Sequence, residues 1–184
     1  IDVFYSGLNQ ADGDKYAGIF ENYVSSHDSE LPAEYQSNNG FYNYDHLSSV
    51  VFCVNTDLEA ELGIEINSYA DLLNPALNGK VIISDPTSSS AAWNNLSNIF
   101  AVYGNDSDEA WAQIEGMLQN GLIVVGSSSA CFKSVQQGEY VVGLTYEDGA
   151  STLLKDGATN IKMVYPSEGS SAFAFAAAIV KGAP

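Results

Sequence analysis

Two clusters of hydroxyl residues follow short apolar runs in this sequence. The first occupies residues 87–90, after the run at 81–83, and the second occupies residues 127–129, after the run at 122–125. Each leads into a segment predicted to start a helix, where unpaired N–H groups and the positive end of the helix dipole are presented. Serine hydroxyls add further donors, so the two clusters favour binding of a small anion. The ordinary alternative for each cluster is helix capping.

A third polar group follows the strand-like run at 141–146 and contains two acids. Ligands of open α/β sheets lie beyond the carboxyl ends of the strands, so this group is expected near the same rim as the hydroxyl clusters. Carboxylates there would bind an amine, a hydroxyl-rich group or a metal, unless they only favour the first turn of a helix. A Ser-Gly pair after the first strand-like run has the same kind of position. The candidate ligand-binding residues are Ser6, Gly7, Thr87, Ser88, Ser89, Ser90, Ser127, Ser128, Ser129, Tyr146, Glu147 and Asp148.

The charge balance limits the possible partners. Twenty-three Asp and Glu stand against six Lys and no Arg, which gives a formal net charge of -17. Nucleic acid is excluded as a partner because a phosphate backbone needs a basic surface. Any bound anion must be held by Lys, hydroxyls and backbone N–H groups, since no guanidinium is present. The alternative is that the acidity only keeps an exported protein soluble.

Enzymatic motifs are missing from the sequence. There is no G-x-S-x-G, no P-loop, no H-E-x-x-H and no G-x-G-x-x-G, and both histidines fall in polar, loop-like stretches. We therefore predict no catalytic residues and no cofactor, with a serine-dependent hydrolase as the alternative from another class. A metal site at Tyr42, Asp45 and His46 lacks the neighbours of a fixed cage. Cys53 and Cys131 are expected to be buried free thiols, and a disulfide is the second interpretation.

Hydrophobic periodicity predicts an α/β fold. Helical spacing marks residues 93–103 and 111–118, and the pairs Ser68/Asp71 and Asp106/Glu109 have the spacing of a capping box. Near-continuous apolar strands that alternate with helices indicate a sheet covered on both faces. The predicted strands are residues 1–5, 49–54, 81–83, 122–125, 141–146, 161–165 and 173–180.

The organisation of the chain changes near residues 55–57 and 165–167. The stretch at 55–166 holds enough strands and helices for a compact lobe. Residues 1–54 and 167–184 lack helices to cover their strands and are assigned to part of a second lobe with its own sheet. Residues 54–56 and 165–167 suit segments that end one sheet and start another, and they are the expected hinges between the two lobes.

As an ordered set, several short stretches resemble the iron/2-aminoethylphosphonate/polyamine group of type II periplasmic solute-binding proteins of ABC transporters. Individually each stretch is weakly specific, but together they follow the family's order over nearly the whole chain. The stretches are residues 2–7, 31–35, 55–58, 69–81, 84–86, 138–143, 165–169 and 178–183.

The resemblance implies the two-lobe periplasmic-binding-protein type II fold, here with one complete lobe, part of the other, and a chain truncated at both ends. It also implies a solute in the interlobe cleft, lined by residues 86–90, 126–129 and 146–148. The expected partners are a small anionic solute and the membrane permease of an ABC importer, and the protein is expected to be a monomer. Its expected location is extracytoplasmic, in the periplasm or lipid-anchored at the cell surface.

One departure from the family concerns iron. Ferric members carry an adjacent Tyr-Tyr pair where this chain has Thr145-Tyr146. This difference favours a phosphonate, phosphate ester or similar organic anion over a ferric ion. A ferric or other metal receptor using Tyr42, Tyr146 and Glu147 is the alternative of the same fold, and a ligand-sensing domain of a signalling protein is another.

Overall fold

The computed structural model describes residues 2–7 and 15–184 of the chain. Ile1, which the sequence placed in the first strand, lies outside the described residues. The chain divides into two compact units. Unit 1 comprises Ile1–Ser48 and Ala172–Pro184, and unit 2 comprises Ser49–Ser171.

Unit 1 is built on strands β1 (Val3–Gly7) and β7 (Ala172–Ile179) and on the first part of β2 (Asn43–Asn55). β7 lies between β1 and β2 and is antiparallel to β1, with Tyr5 opposite Ala177. Its buried core contains Phe20, Tyr42, Ala176 and Ala178. Three short 3-10 helices accompany the strands, at Ala17–Ile19, Asp28–Glu30 and Ala33–Tyr35.

Unit 2 contains a sheet formed by the second part of β2 and four further strands. These are β3 (Val81–Ser84), β4 (Ile123–Val125), β5 (Val142–Tyr146) and β6 (Ile161–Val164). The strand order is β6-β2-β5-β3-β4. The second part of β2 is antiparallel to both β5 and β6, whereas β3 is parallel to both of its neighbours.

Helices cover both faces of this sheet, as the sequence predicted. The helices are α1 (Thr56–Leu62), α2 (Ser90–Tyr103), α3 (Asp108–Gln119), α4 (Ala130–Gln136) and α5 (Glu147–Lys155), with 3-10 helices at Ala70–Leu73 and Pro75–Leu77. Alternate residues of β2 enter different cores: Phe52 and Val54 pack under α2 and α3, and Val51 and Cys53 pack under α4 and α5. Period-two alternation with both sets apolar is the pattern of a strand buried on both faces.

All seven predicted strands are confirmed, with ends shifted by a few residues. The assignment of residues 50–54 to the sheet of the flanking segments is wrong. That part of β2 pairs with β5 and β6, with Val54 opposite Val142 and Lys162. The error arose because the apolar run at 49–54 marks only half of the strand. The mostly polar residues at 43–48 extend the same strand into unit 1, and no apolar pattern marks them.

The two predicted capping boxes have different outcomes. Ser68 and Asp71 exchange reciprocal bonds: the Ser68 N–H donates to Asp71 at 2.9 Å, and the Asp71 N–H donates to the Ser68 hydroxyl at 3.1 Å. The Asp106/Glu109 box is wrong, because Ser107 caps α3 by accepting from the Ala110 N–H at 3.1 Å. The helix therefore begins one residue later than predicted.

A polar network fixes the last segment of unit 2 to α2. The Asn98 carboxamide, fully buried, donates to the Gly169 carbonyl and accepts from the Ser171 N–H and hydroxyl. Glu168 accepts from the Tyr103 hydroxyl at 2.9 Å. Residues 168–171 are thereby held in unit 2, and the division between the units falls between Ser171 and Ala172.

Both cysteines are buried and free, which confirms the first interpretation of the sequence. Burial raises the pKa of the Cys53 thiol to about 12 and that of the Cys131 thiol to about 11. Within the described ranges, no helix combines the length and apolarity needed to cross a membrane.

Candidate functional site

Three strand ends converge at one edge of unit 2. In the parallel registers Ser84 lies beside Val125 and Ile83 lies beside Leu144. The carboxyl ends of β3, β4 and β5 therefore meet at the same edge, and each is followed by polar residues and a helix. We call the residues that follow them, at 85–90, 126–129 and 146–148, the rim. The rim contains ten of the twelve candidate residues.

The first hydroxyl cluster is largely engaged with itself. The Asp85 carboxylate accepts from the Thr87 N–H at 2.8 Å and from the Thr87 hydroxyl at 2.7 Å, and the Asp85 carbonyl accepts from the N–H groups of Ser88 and Ser89. Ser89 caps α2, with its hydroxyl accepting from the Ala92 N–H at 3.3 Å. Capping thus accounts for Ser89, as the ordinary alternative proposed. The N–H groups of the first two helical residues, Ser90 and Ala91, have no partner within the helix by geometry.

A charged acid lies at the centre of this cluster. The hydrogen bonds from the Thr87 hydroxyl and N–H stabilise the Asp85 carboxylate and hold its pKa below the ordinary value of 3.8. Asp85 is therefore ionised at neutral pH. It repels a bare anion that approaches the backbone N–H groups of this cluster.

The second cluster does not follow the capping pattern. Ser129 occupies the N-cap position of α4 but makes no side-chain capping bond. Its hydroxyl instead lies 3.1 Å from the exposed hydroxyl of Ser127. One hydroxyl of the pair donates to the other, so the pair keeps a donor and acceptor positions for a solute.

Tyr146 closes the rim beside the second cluster. Its ring packs edge-on against Phe132, with the centroids 5.9 Å apart, and its hydroxyl interacts with Ser128. Partial burial raises the pKa of Tyr146, and this effect prevails over the opposite effect of the Ser128 bond. The phenol is therefore neutral at physiological pH and able to donate a hydrogen bond.

The two acids of the rim begin α5, and one of them has a partner that the sequence did not indicate. Glu147 accepts a hydrogen bond of 2.7 Å from the Tyr165 hydroxyl, which the sequence had treated only as part of a junction. That bond raises the pKa of Tyr165 to about 12. No periodicity or motif links residues 147 and 165, so only the fold reveals this pair.

Thr145, the residue before Tyr146, does not reach the rim. It is 1% exposed and its carbonyl accepts from the buried Asn95 carboxamide at 3.1 Å. Because successive residues of a strand face opposite sides, Tyr146 alone is presented next to the hydroxyl clusters.

The other candidates belong to unit 1. Ser6 and Gly7 lie in β1, opposite Ala176 and Phe175 of β7. Tyr42 is fully buried and its hydroxyl donates to Asn38 at 3.2 Å. His46 lies in β2 rather than in a loop, and its ring stacks on Phe175 with centroids 4.6 Å apart. In the described part of the chain, no three His, Cys, Asp or Glu side chains gather in a way that could hold a metal ion.

Comparisons with known proteins identify the class. Residues 1–184 match the family of bacterial extracellular solute-binding proteins, and the chain belongs to that family. An uncharacterized protein of Haemophilus influenzae is 27% identical over 172 residues, which are 90% of this chain and 49% of that relative.

Two solved structures are similar over nearly the whole chain. One is the periplasmic binding protein AfuA from Actinobacillus pleuropneumoniae with exogenous fructose-6-phosphate bound, at 25% identity and a TM-score of 0.84 over 99% of this chain and 58% of AfuA. The other is described as a two-component system protein that mediates signal transduction, at 28% identity and a TM-score of 0.80 over 100% of this chain and 59% of that chain. The chain therefore has the α/β fold of periplasmic binding proteins and spans little more than half of their length.

Proposed function

We propose that the chain is part of an extracytoplasmic receptor of an ABC importer that binds a small anionic solute at the rim of unit 2 and delivers it to a membrane permease. The receptor acts as a monomer and catalyses no reaction. The observation that carries the proposal is the Ser127/Ser129 hydroxyl pair, which is exposed beside two other strand ends and is not used to cap α4.

Neutral donors at the rim match an anion. The Ser127/Ser129 pair, the Tyr146 phenol and the N–H groups at the start of α2 can each donate to a phosphate or phosphonate oxygen. Hydrogen bonds to charged groups are worth about 1.5–3 kcal/mol each, so a few of them can hold an anion without a guanidinium.

Acidic groups at the same rim restrict the rest of the solute. Asp85, Glu147 and Asp148 accept hydrogen bonds and repel a bare anion. A solute that carries one phosphate or phosphonate together with hydroxyls or an amine suits both kinds of group, because its second end can donate to the carboxylates. AfuA, which holds fructose-6-phosphate, is a related receptor for a solute of this chemistry. We therefore infer a hydroxylated phosphate ester or an aminophosphonate.

Calorimetric titration with fructose 6-phosphate tests the proposal. We expect binding that weakens about tenfold or more in the Ser127→Ala/Ser129→Ala double variant, because the hydroxyl that donates to the charged group is lost together with the hydroxyl that orients it. Ser134→Ala, in the second turn of α4 and away from the rim, is the matched control and should bind as the parent does. Equal affinity in the double variant and the control would contradict the anion site.

Ser89→Pro would remove a backbone N–H donor at the rim, but it does not test solute binding specifically. The Ser89 N–H already donates to the Asp85 carbonyl at 2.9 Å, so proline there would break the turn rather than remove a solute contact.

Ferric binding is the competing assignment within the fold, and the geometry of unit 2 does not favour it. Tyr146 is the one tyrosine among the rim residues, and its burial favours the neutral phenol over the tyrosinate that ferric ion requires, as does the Glu147 bond for Tyr165 beside it. Addition of ferric citrate should therefore give no visible charge-transfer band. A band that disappears in Tyr146→Phe would replace the anion assignment by a ferric one.

A second candidate function is solute sensing, which the similarity to the two-component system protein supports. Both functions use the same rim, so binding alone does not separate them. Deletion of the gene from its host separates them: a transport receptor is required for solute uptake, whereas a sensor is required for a transcriptional response while uptake continues.

A further inference from the structure

An aromatic groove lies along one face of α2, from its first turn to the residues that follow the helix. It has a volume of about 560 Å³ and is lined by Trp93, Ser97, Phe100, Ala101, Asn105 and Asp106. Trp93, Ser97 and Ala101 lie four residues apart on α2, and Phe100 lies three residues after Ser97, so these four share one face of the helix. Trp93 is 63% exposed, which is unusual for a side chain with so much apolar surface.

A second tryptophan lies beside this groove. The Trp111 ring, 53% exposed, packs edge-on against Phe100 with the centroids 5.0 Å apart. Its indole N–H donates to the Asp106 carboxylate at 3.0 Å. The groove thus combines exposed aromatic faces with a carboxylate held in a fixed position.

The backbone at Asp106 supports a role for this carboxylate. Asp106 has φ +56°, in the left-handed region that ordinary residues avoid, whereas other positive-φ positions in the described chain are glycines. Holding a non-glycine residue there costs about 1 kcal/mol or more, and the gain is a carboxylate placed at the mouth of the groove.

The charge of the surrounding sequence indicates the partner. Residues 81–132, which include α2 and α3, contain Asp85, Asp106, Asp108, Glu109 and Glu115 but no Lys, Arg or His. A groove of tryptophan faces and a carboxylate within an acidic segment is complementary to a guanidinium or ammonium group, which gains both cation–π and ionic attraction. A second copy of this chain is a poor occupant because each copy carries a net charge of -17.

We propose that this groove is a docking site for arginine or lysine side chains of a partner protein. The cation stacks on Trp93 and Phe100 and pairs with Asp106. The site is independent of solute binding at the rim, and its occupant is a basic segment rather than a transported molecule.

Fluorescence anisotropy with a labelled peptide tests the docking site. The probe is acetyl-Gly-Arg-Arg-Gly-amide carrying a fluorophore, and the comparison peptide replaces both arginines by glutamine. We expect saturable binding of the arginine peptide only, weakened severalfold by Trp93→Ala and again by raising the ionic strength from 20 mM to 300 mM. Because Trp93 is exposed, circular dichroism should show an unchanged fold in that variant.

Asp106→Asn is the decisive variant. Asparagine tolerates positive φ at least as well as aspartate and can still accept the Trp111 indole hydrogen bond, so the geometry is kept while the charge is removed. We expect severalfold weaker binding in Asp106→Asn and unchanged binding in Glu65→Gln, an exposed acid outside the groove.

Three results would overturn the proposal. Equal losses in Asp106→Asn and Glu65→Gln would reduce the effect to net charge, and equal binding of the glutamine peptide would remove the requirement for a cation. Binding of free N-acetylarginine amide as tight as that of the peptide would assign the groove to a small molecule instead of a protein segment.

Discussion

At the scale of single residues, Asp71 is a carboxylate whose charge contributes to stability. Partial burial by itself would raise its pKa, but hydrogen bonds from the Ser68 hydroxyl and from the N–H groups of Asn67 and Ser68 prevail and lower it. The charged form is therefore stabilised in the folded state. The resulting contribution to stability is fully present above the ordinary pKa of 3.8 and is lost as the pH falls through the lower folded-state value.

We expect Asp71→Asn to reduce the free energy of unfolding by about 1 kcal/mol at pH 6, a value that allows for the partial exposure of the group. The difference from the parent should shrink as the pH is lowered from 6 towards 2.5, because the parent aspartate becomes protonated. Urea denaturation across this pH range measures it. Asp156→Asn, at an exposed position, is the control, and a difference for Asp71→Asn that does not change over this pH range would refute the assignment.

The residue types of the rim could be predicted from the sequence. Which of their hydroxyl groups are used to cap a helix, and which are not, could not be predicted. Hydroxyl clusters after strands indicated donors, and the structure places both clusters at the carboxyl ends of strands. Ser89 caps a helix and Ser129 does not, although both precede a helix in similar sequence. The difference depends on backbone geometry. Ser89 has extended backbone angles and Ser129 has helical ones, and these angles are set by the fold rather than by the local sequence.

At the scale of elements, close packing of α4 on β5 depends on a glycine. A Cβ atom at Gly143 would lie 1.6 Å from the Cys131 carbonyl oxygen. Gly149 in α5 plays a similar part, because a Cβ there would lie 2.4 Å from the Phe132 ring. The helix that follows the second hydroxyl cluster thus packs closely on β5 at Gly143 and on α5 at Gly149.

Gly143→Ala should destabilise the protein by about 3 kcal/mol or more, since the clash is with backbone and cannot be relieved by a side-chain rotation. Gly126→Ala is the control, because a Cβ at that position has nothing within 4 Å and its backbone is not left-handed. Thermal unfolding of both variants checks this. A change of Tm in Gly143→Ala no larger than in the control would show that α4 can move away from β5.

Strand positions were predictable because burial on both faces leaves long apolar runs such as Val50 to Val54. The ends of elements were not. β2 begins at Asn43, and its first half is rich in polar residues that resemble a loop in sequence. The strands that pair with β2 were also not predicted. Val54 pairs with a residue of β5 that is almost 90 positions away in sequence and with a residue of β6 that is farther still, and no local pattern specifies these partners.

At the scale of the whole molecule, the two units differ in how the chain forms them. Unit 2 is a single continuous stretch, Ser49–Ser171, with an extensive core on each face of its sheet. Unit 1 is assembled from two distant segments and has a small core of four buried residues in the described part of the chain. A continuous stretch with its own core is the usual requirement for independent folding.

We therefore expect a fragment of residues 49–171 to fold alone. Urea denaturation followed by tryptophan fluorescence should show one cooperative transition, and both tryptophans of the protein lie within the fragment. A fragment of the same length that begins at residue 62 lacks β2, the strand that joins β5 and β6, and should show none. A non-cooperative transition in the 49–171 fragment would mean that unit 2 depends on the flanking segments.

Burial of the two cysteines also has a practical consequence for labelling. Cys53 and Cys131 are the complete set of cysteines in the chain, and burial raises their pKa values to about 12 and about 11. The thiolate is the nucleophile that attacks a maleimide, and at neutral pH both native thiols are protonated and buried, so they react poorly. A cysteine introduced at exposed Ser127 would then be the single reactive site, and a fluorophore could be attached beside the rim without first removing a native cysteine.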